Sequence, residues 1–355
     1  MTTAINSEKP HKFETLDALR GLAAIAVLTG HVATYFGPRL LFPHAYLAVD
    51  FFFMLSGFVL TFAYQQKLDA GLTTFDFFKA RIIRLYPLYA IGITIGLIYM
   101  EYIRHKAIVQ LPAGDHALII LCAIFFLPVP AGVTSISAFA FPLDAPTWSL
   151  FFELIANLLH ALLLRRQKTR TLLITLIALG ALLVNTGICQ GSVDFGTHRG
   201  EFRFGLLRVA FSYLAGMLLF RLWNHNPHRV RISAIASCLL LLAALAVPRG
   251  ASWNGAFDVT AILIWMPLVL LTGAYSQPHT LLRGTFLILG TTSYALYVLH
   301  FPAANVFARF WKTLAHQDPA MMPPWSGLAF LTGTIAACLI LDRCYDLPVR
   351  RMLRK

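Results

Sequence analysis

The chain has 355 residues, of which 58% are hydrophobic and only 13% are charged, and its mean hydropathy is +0.68. Soluble domains carry about 25% charged residues, so these values exclude a soluble globular protein and predict an all-α fold, a polytopic transmembrane helical bundle. The formal charge of +13 does not point to nucleic acid, because the basic residues sit in short loops where the positive-inside rule places them, and no loop carries a base-reading pattern.

In chain order, hydropathy predicts spans at residues 16–35, 46–64, 85–102, 148–164, 172–188, 205–220, 232–247, 257–275, 286–308 and 325–341. Most approach the roughly 20 apolar residues that a bilayer core demands. Residues 117–129 are too short and too Pro-bounded for a comfortable span, so a re-entrant or interfacial segment is expected there, or one arm of a hairpin with 135–141. With the N-terminus inside and no net crossing at 117–129, the cytoplasmic segments hold 19 Lys and Arg and the opposite segments hold 8. A crossing there would move Arg165, Arg166, Lys168 and Arg170 outside and spoil the bias. The expected organisation is a cytoplasmic tail over 1–15, one transmembrane domain over 16–342, and a basic cytoplasmic tail over 343–355. No cleavable signal peptide is expected, since the first apolar stretch holds Asp17, Arg20 and His31. Cys122, Cys189, Cys238, Cys338 and Cys344 have neither metal-ligand spacing nor the look of a disulfide framework, and no metal is expected.

Ionisable groups within a span are expensive and are functional candidates by default. Arg20 and His31 lie eleven residues apart, close to three helical turns, so they share one face about 16 Å apart along the axis. Asp17 sits one turn before Arg20. On the Trp148 helix, Ser149, Glu153, Asn157 and His160 form a polar stripe in an apolar span. A buried Glu153 needs a partner, and an intramembrane His or Arg is the natural one. A third stripe joins Ser293, Tyr297 and His300. Arg81 and Arg84, one turn apart at the mouth of the third span, suit a phosphorylated ligand, because guanidinium binds phosphate with a planar fork. Each stripe also has a plainer reading as helix–helix glue, and the arginine pair as positive-inside decoration.

The opening Leu16-Asp-Ala-Leu-Arg20, with His31 eleven residues after the arginine, resembles the start of the acyltransferase-3 family of membrane acyltransferases. Four further stretches fit that family in order: Val49-Asp50 through Ser56-Gly57-Phe58; Arg81 and Arg84 followed by Tyr86-Pro87; Trp148-Ser149 with Glu153; and Gly290 through Ser293, Tyr297 and His300. The resemblance runs from about Leu16 to Leu341. It implies O-acylation, usually acetylation, of a sugar hydroxyl in a surface polysaccharide, lipopolysaccharide or other glycan, in the bacterial inner membrane, with acyl-CoA (acetyl-CoA above all) as donor. Carried over by motif, His31 is catalytic, Arg20 assists it, Arg81 and Arg84 belong to the donor side, and Trp148, Ser149 and Glu153 support the core. Asp17, Asp50, Ser56, Tyr297 and His300 are further supporting positions. Some members carry a C-terminal extracytoplasmic esterase-like domain; without it, the acceptor is expected to be handled by the membrane domain or a partner.

The chemistry suits these residues. A sugar hydroxyl is a poor nucleophile, and a histidine near neutral pKa is the fitting base. Direct transfer and a relay through an acylated side chain both remain open. One spatial expectation follows: Ser149 or Glu153 reaches His31 by a hydrogen bond, directly or through one water, and Arg20, Arg81 and Arg84 line the cytoplasmic end of the same continuous cavity. The main rival is a transporter or flippase using buried His, Glu and Arg as a relay, which lacks support from any inverted repeat.

Overall fold

The computed structural model describes residues 12–32, 41–226, 232–317, 321 and 324–354; Lys9, Arg39, Arg229, Arg231 and Lys355 lie outside them, as do residues 33–35 of the first expected span. The helices are α1 Glu14–His31, α2 Ala48–Asp69, α3 Thr74–His105, α4 Ala113–Ile124, α5 Thr147–Leu162, α6 Thr169–Gln190, α7 Phe202–His225, α8 Ala234–Ala246, α9 Asn254–Ala274, α10 Arg283–Leu314, α11 Pro324–Leu341 and α12 Leu347–Leu353. A π-helical turn over Ala261–Trp265 interrupts α9, and another over Asp342–Asp346 carries α11 into α12. Two short strands, Ile232–Ser233 and Ser276–Gln277, pair in parallel and tie the start of α8 to the end of α9.

Seven helical stretches among the described residues are long and apolar enough to cross a membrane, and three shorter apolar helices, α4, α5 and α8, accompany them. The fold is a polytopic helical bundle. α4, with 12 residues, covers about 18 Å against a hydrocarbon core of about 30 Å. Its chain reverses at Phe126, which has φ 56°, and Leu127 donates back to the Cys122 carbonyl. Residues 343–353 are more than a tail: the chain stays helical, and Arg350 is buried in ion pairs with Asp342 and Asp346.

Contacts fix the helix directions. α1 and α10 run parallel, with Arg20 on Gly290 and Ser293 and His31 on His300. α3 runs with them, meeting α10 at Leu85–Tyr294 and at Gly92–Val298. α2, α5 and α7 run parallel to one another, through Asp50–Arg208, Phe58–Phe220, Phe53–Trp148 and Ser56–Glu153. They run opposite to α1, whose Phe13 packs on Phe58 while Val27 and Val49 line one cavity at the other end. α3 therefore ends and α5 begins at the same end of the bundle.

Small residues let these helices touch backbone to backbone, the usual device where lipid supplies no hydrophobic drive between helices. A Cβ on Gly216 of α7 would stand 1.9 Å from the Met54 carbonyl oxygen of α2, and one on Gly57 of α2 would stand 2.1 Å from the Tyr213 oxygen. Gly216→Ala must part the two helices, an overpacking cost of about 1–3 kcal/mol. Its melting temperature in detergent is expected to fall, whereas Gly284→Ala, where a Cβ meets open space, leaves it unchanged or raises it.

Candidate active site

Two cavities lie back to back in the bundle. The first, about 250 Å³, is lined by Arg20, Arg81, Arg84, Glu153, Ser56 and Tyr294 among others. Arg20 on α1 donates from Nε to Ser293 Oγ at 2.8 Å and from Nη2 to the Gly290 carbonyl at 2.8 Å, and pairs with Asp17 at 3.1 Å. Arg81 on α3 pairs with Glu153 on α5 at 2.8 Å, and Ser56 on α2 donates to the same carboxylate oxygen at 3.3 Å. Arg84 makes no hydrogen bond or ion pair with any described residue. The carboxylates that act on it through space, Asp342 and Asp346, are held by Arg350. Three guanidinium groups thus face one carboxylate across the cavity, with Asp17 pairing outside it. Such a site attracts an anion, and arginine forks match phosphate oxygens.

The second cavity, about 300 Å³, is lined by His31, Tyr46, Trp148, Asp194, Arg208 and Arg249 among others. His31 closes α1 and is exposed to this space. Its Nδ1 lies 2.9 Å from His300 Nε2 on α10 and 3.1 Å from the Val27 carbonyl. The wall is built on a buried ion pair: Arg208 and Asp50, 2% and 0% exposed, meet at 2.6 Å. Arg208 also donates to the carbonyls of Phe195 and Tyr46, at 2.7 and 3.0 Å, and lies over the Trp148 ring. Behind it, Asp258 accepts from Tyr46 (2.6 Å), Ser192 (3.0 Å) and the Val193 amide (2.9 Å), and so fastens the loop that carries Asp194.

Val49 and Tyr297 line both cavities. Both stand at the junction of the two cavities. Ser149 Oγ donates to the Pro146 carbonyl at 2.9 Å, so the Tyr297 hydroxyl, 2.7 Å away, donates to Ser149. Phe52 packs edge-on against the Tyr297 ring, with centroids 5.4 Å apart.

A basic cavity and a histidine-bearing cavity thus adjoin at Val49 and Tyr297. The family model described as "Acyltransferase domain" matches residues 13–343. The chain belongs to the acyltransferase-3 family. It is similar to "Protein 2 in picA locus" of Rhizobium radiobacter, 37% identical over 171 residues, or 44% of this chain and 85% of that protein. It is also similar to "Peptidoglycan O-acetyltransferase OatA" of Listeria monocytogenes, 25% identical over 95% of this chain and 56% of that protein. A third relative, "O-acetyltransferase OatA" of Staphylococcus aureus, is 24% identical over 82% of this chain and 51% of that protein. The chain spans about half the length of these two O-acetyltransferases. No solved structure matches it.

In this chain, Arg20, Arg81 and Arg84 come together in one cavity, and Ser149 and Glu153 line the same cavity. No direct hydrogen bond joins Ser149 or Glu153 to His31. Ser149 is held by Tyr297, Glu153 by Arg81 and Ser56, and the imidazole meets His300 instead. The arginines line one cavity and His31 the other, and the two adjoin at Val49 and Tyr297. Asn157 and His160 do not continue the stripe into either cavity: both are fully buried and have no hydrogen-bonding partner among the described residues, with His160 near the Tyr213 ring. Arg208 was missed. It is a charge inside the predicted span 205–220, the signal that singled out Arg20, and Asp50 is its counter-ion.

Removing one partner of a buried ion pair strands the other, at about 3–5 kcal/mol, while an apolar pair of similar volume is often neutral. Asp50→Ala is therefore expected to lower the melting temperature in detergent sharply, and Asp50→Ala with Arg208→Met to recover much of the loss.

Proposed function

We propose that this membrane acyltransferase moves an acyl group, most simply acetyl, from cytoplasmic acyl-CoA to a sugar hydroxyl of a surface glycan. The observation that carries the reading is a cavity in which three guanidinium groups face one carboxylate, adjoining a cavity lined by His31. Support for acetyl and for a hydroxyl acceptor comes from the names of the O-acetyltransferase relatives. In this reading both termini are cytoplasmic, the protein sits in the bacterial inner membrane, the arginine cavity faces the cytoplasm, and the histidine cavity faces the acceptor.

Each residue then has a task. Arg84, which makes no direct ion pair with any described residue, binds donor phosphate, helped by Arg81 and Arg20, whose carboxylate partners Glu153 and Asp17 hold them in place. An extended pantetheine arm leads the thioester past Tyr297 towards His31. The acceptor hydroxyl gives its proton to His31 as its oxygen bonds to the thioester carbon. The tetrahedral intermediate then expels the sulfur, which takes the proton from His31 and leaves as the thiol. One C–O bond forms, one C–S bond breaks, and the proton count closes without a cofactor. The aromatic and hydroxyl-bearing wall of the second cavity, with Tyr46 and Trp148, suits the apolar faces and hydroxyl edges of a sugar.

Two experiments test this reading. With purified protein in detergent and labelled acetyl-CoA, His31→Ala is expected to lower kcat by about 10²–10⁴, the usual share of a general base. Arg84→Ala should raise KM for the donor with a smaller change in kcat, and Arg84→Lys should restore it only in part, since ammonium lacks the planar fork. Unchanged turnover in the histidine variant, or unchanged donor KM in the arginine variant, would remove the respective role. For sidedness, single cysteines at Lys168 and Lys312 in a cysteine-free background should behave oppositely towards a membrane-impermeant thiol reagent on intact cells. The first should be shielded and the second labelled, and the reverse pattern would invert the topology.

A further inference from the structure

We infer that His300 is a positioning residue that fixes the tautomer of His31, leaving His31 Nε2 as the atom that accepts the substrate proton. The inference rests on the general-base reading of His31. Of the two neutral ring forms available to each histidine, the hydrogen bonds leave one combination. The Leu296 carbonyl can only accept, so His300 Nδ1, 2.9 Å from it, carries the proton. The other nitrogen of a neutral His300, Nε2, is then a lone pair. It stands 2.9 Å from His31 Nδ1, which must donate to it. The Val27 carbonyl, 3.1 Å from the same His31 nitrogen, also only accepts and requires the same proton. Two acceptors from two helices agree, and the free lone pair of His31 falls on Nε2. The opposite choice at His300 would set lone pairs of Nδ1 and the Leu296 oxygen against each other in a buried site.

Burial divides the labour between the rings. His300 is 0% exposed and His31 is exposed to the cavity, so substrate meets only His31. In a Ser-His-Asp triad the orienting acceptor is a buried carboxylate. Here a neutral imidazole does that work, and no anion has to be desolvated inside the bilayer. When His31 takes up the substrate proton, its Nδ1–H bond to His300 becomes charge-assisted and strengthens. The charged groups around the cavity are already spoken for, Arg208 by Asp50 at 2.6 Å and Arg249 by Asp194 at 3.6 Å. No carboxylate among the described residues hydrogen-bonds to His31.

The test uses the whole protein in detergent, with acetyl-CoA turnover and ¹⁵N NMR of histidine-labelled protein; the resonances lost in His31→Gln assign that ring. In the wild type the neutral His31 should carry its proton on Nδ1. His300→Phe keeps the ring volume and removes the acceptor, and kcat should fall about 10–100-fold while donor KM stays within about twofold, a smaller loss than that of a general base itself. His31 should then populate both tautomers. His300→Gln, which returns an acceptor oxygen near the place of Nε2, should recover kcat to within about threefold of wild type. Three results would overturn the inference: wild-type His31 protonated on Nε2, full kcat in His300→Phe, or no recovery in His300→Gln with the protein folded. The first needs no His300 variant and decides even where a variant fails to fold. Full turnover in His31→Ala would instead remove the general-base reading beneath it, a separate result.

Discussion

The parallel packing of α1 on α10 is the constraint from which the site follows. A Cβ on Gly21 would stand 2.4 Å from the Leu289 oxygen, and one on Gly290 would stand 2.7 Å from the Asp17 side chain, so the two helices meet at backbone distance and cannot slide. That register sets Arg20 against Ser293 at one level and His31 against His300 near the end of α1. Between these levels α10 presents Tyr297, which α5 holds through Ser149. One helix pair thus sets the arginine cavity, Tyr297 and the histidine at successive depths, with the eleven-residue interval on α1 giving a separation of about 16 Å.

Charge in a bilayer protein is either paired or functional, and this chain shows both. Asp50 and Arg208 satisfy each other in a buried wall, and Arg350 is enclosed by Asp342 and Asp346. Arg81 and Arg20 have carboxylate partners that still leave them facing the cavity. Arg84 is the exception: no described carboxylate pairs with it directly, and in the proposed function donor phosphate supplies the anion. The histidine cavity has the opposite character, with its arginines and aspartates matched, which suits an uncharged hydroxyl-bearing acceptor.

In the proposed transfer the thioester passes from one cavity to the other. A continuous tunnel would join the aqueous phases on the two sides of the membrane. At the junction of the two cavities stands Tyr297, held by one hydroxyl pair with Ser149. Tyr297 is polar only at its hydroxyl, which already has its partner, and its ring is packed by Phe52. In the proposed transfer, displacing that ring would cost one hydrogen bond plus local packing, not a rearrangement of helices.

Much of this was written in one dimension. Apolar runs with few charges determine a bundle of spanning helices whatever the partners, because the bilayer leaves the backbone no other way to satisfy its hydrogen bonds. The interval from Arg20 to His31 fixes their shared face and spacing by helix geometry alone, and the adjacency of Arg81 and Arg84 was equally local. Partnership was not local. Ser149 and Glu153 are at a depth that allowed either to reach His31, and only the rotation and register of α5 against α2, α3 and α10 assigned them to Tyr297 and Arg81. His300 lies 269 residues from His31, and Arg208 lies 158 from Asp50. Helical periodicity says which side chains share a face but carries no information about which other face that surface will meet. The close contacts of glycines decided that, and with them the separation of the two cavities.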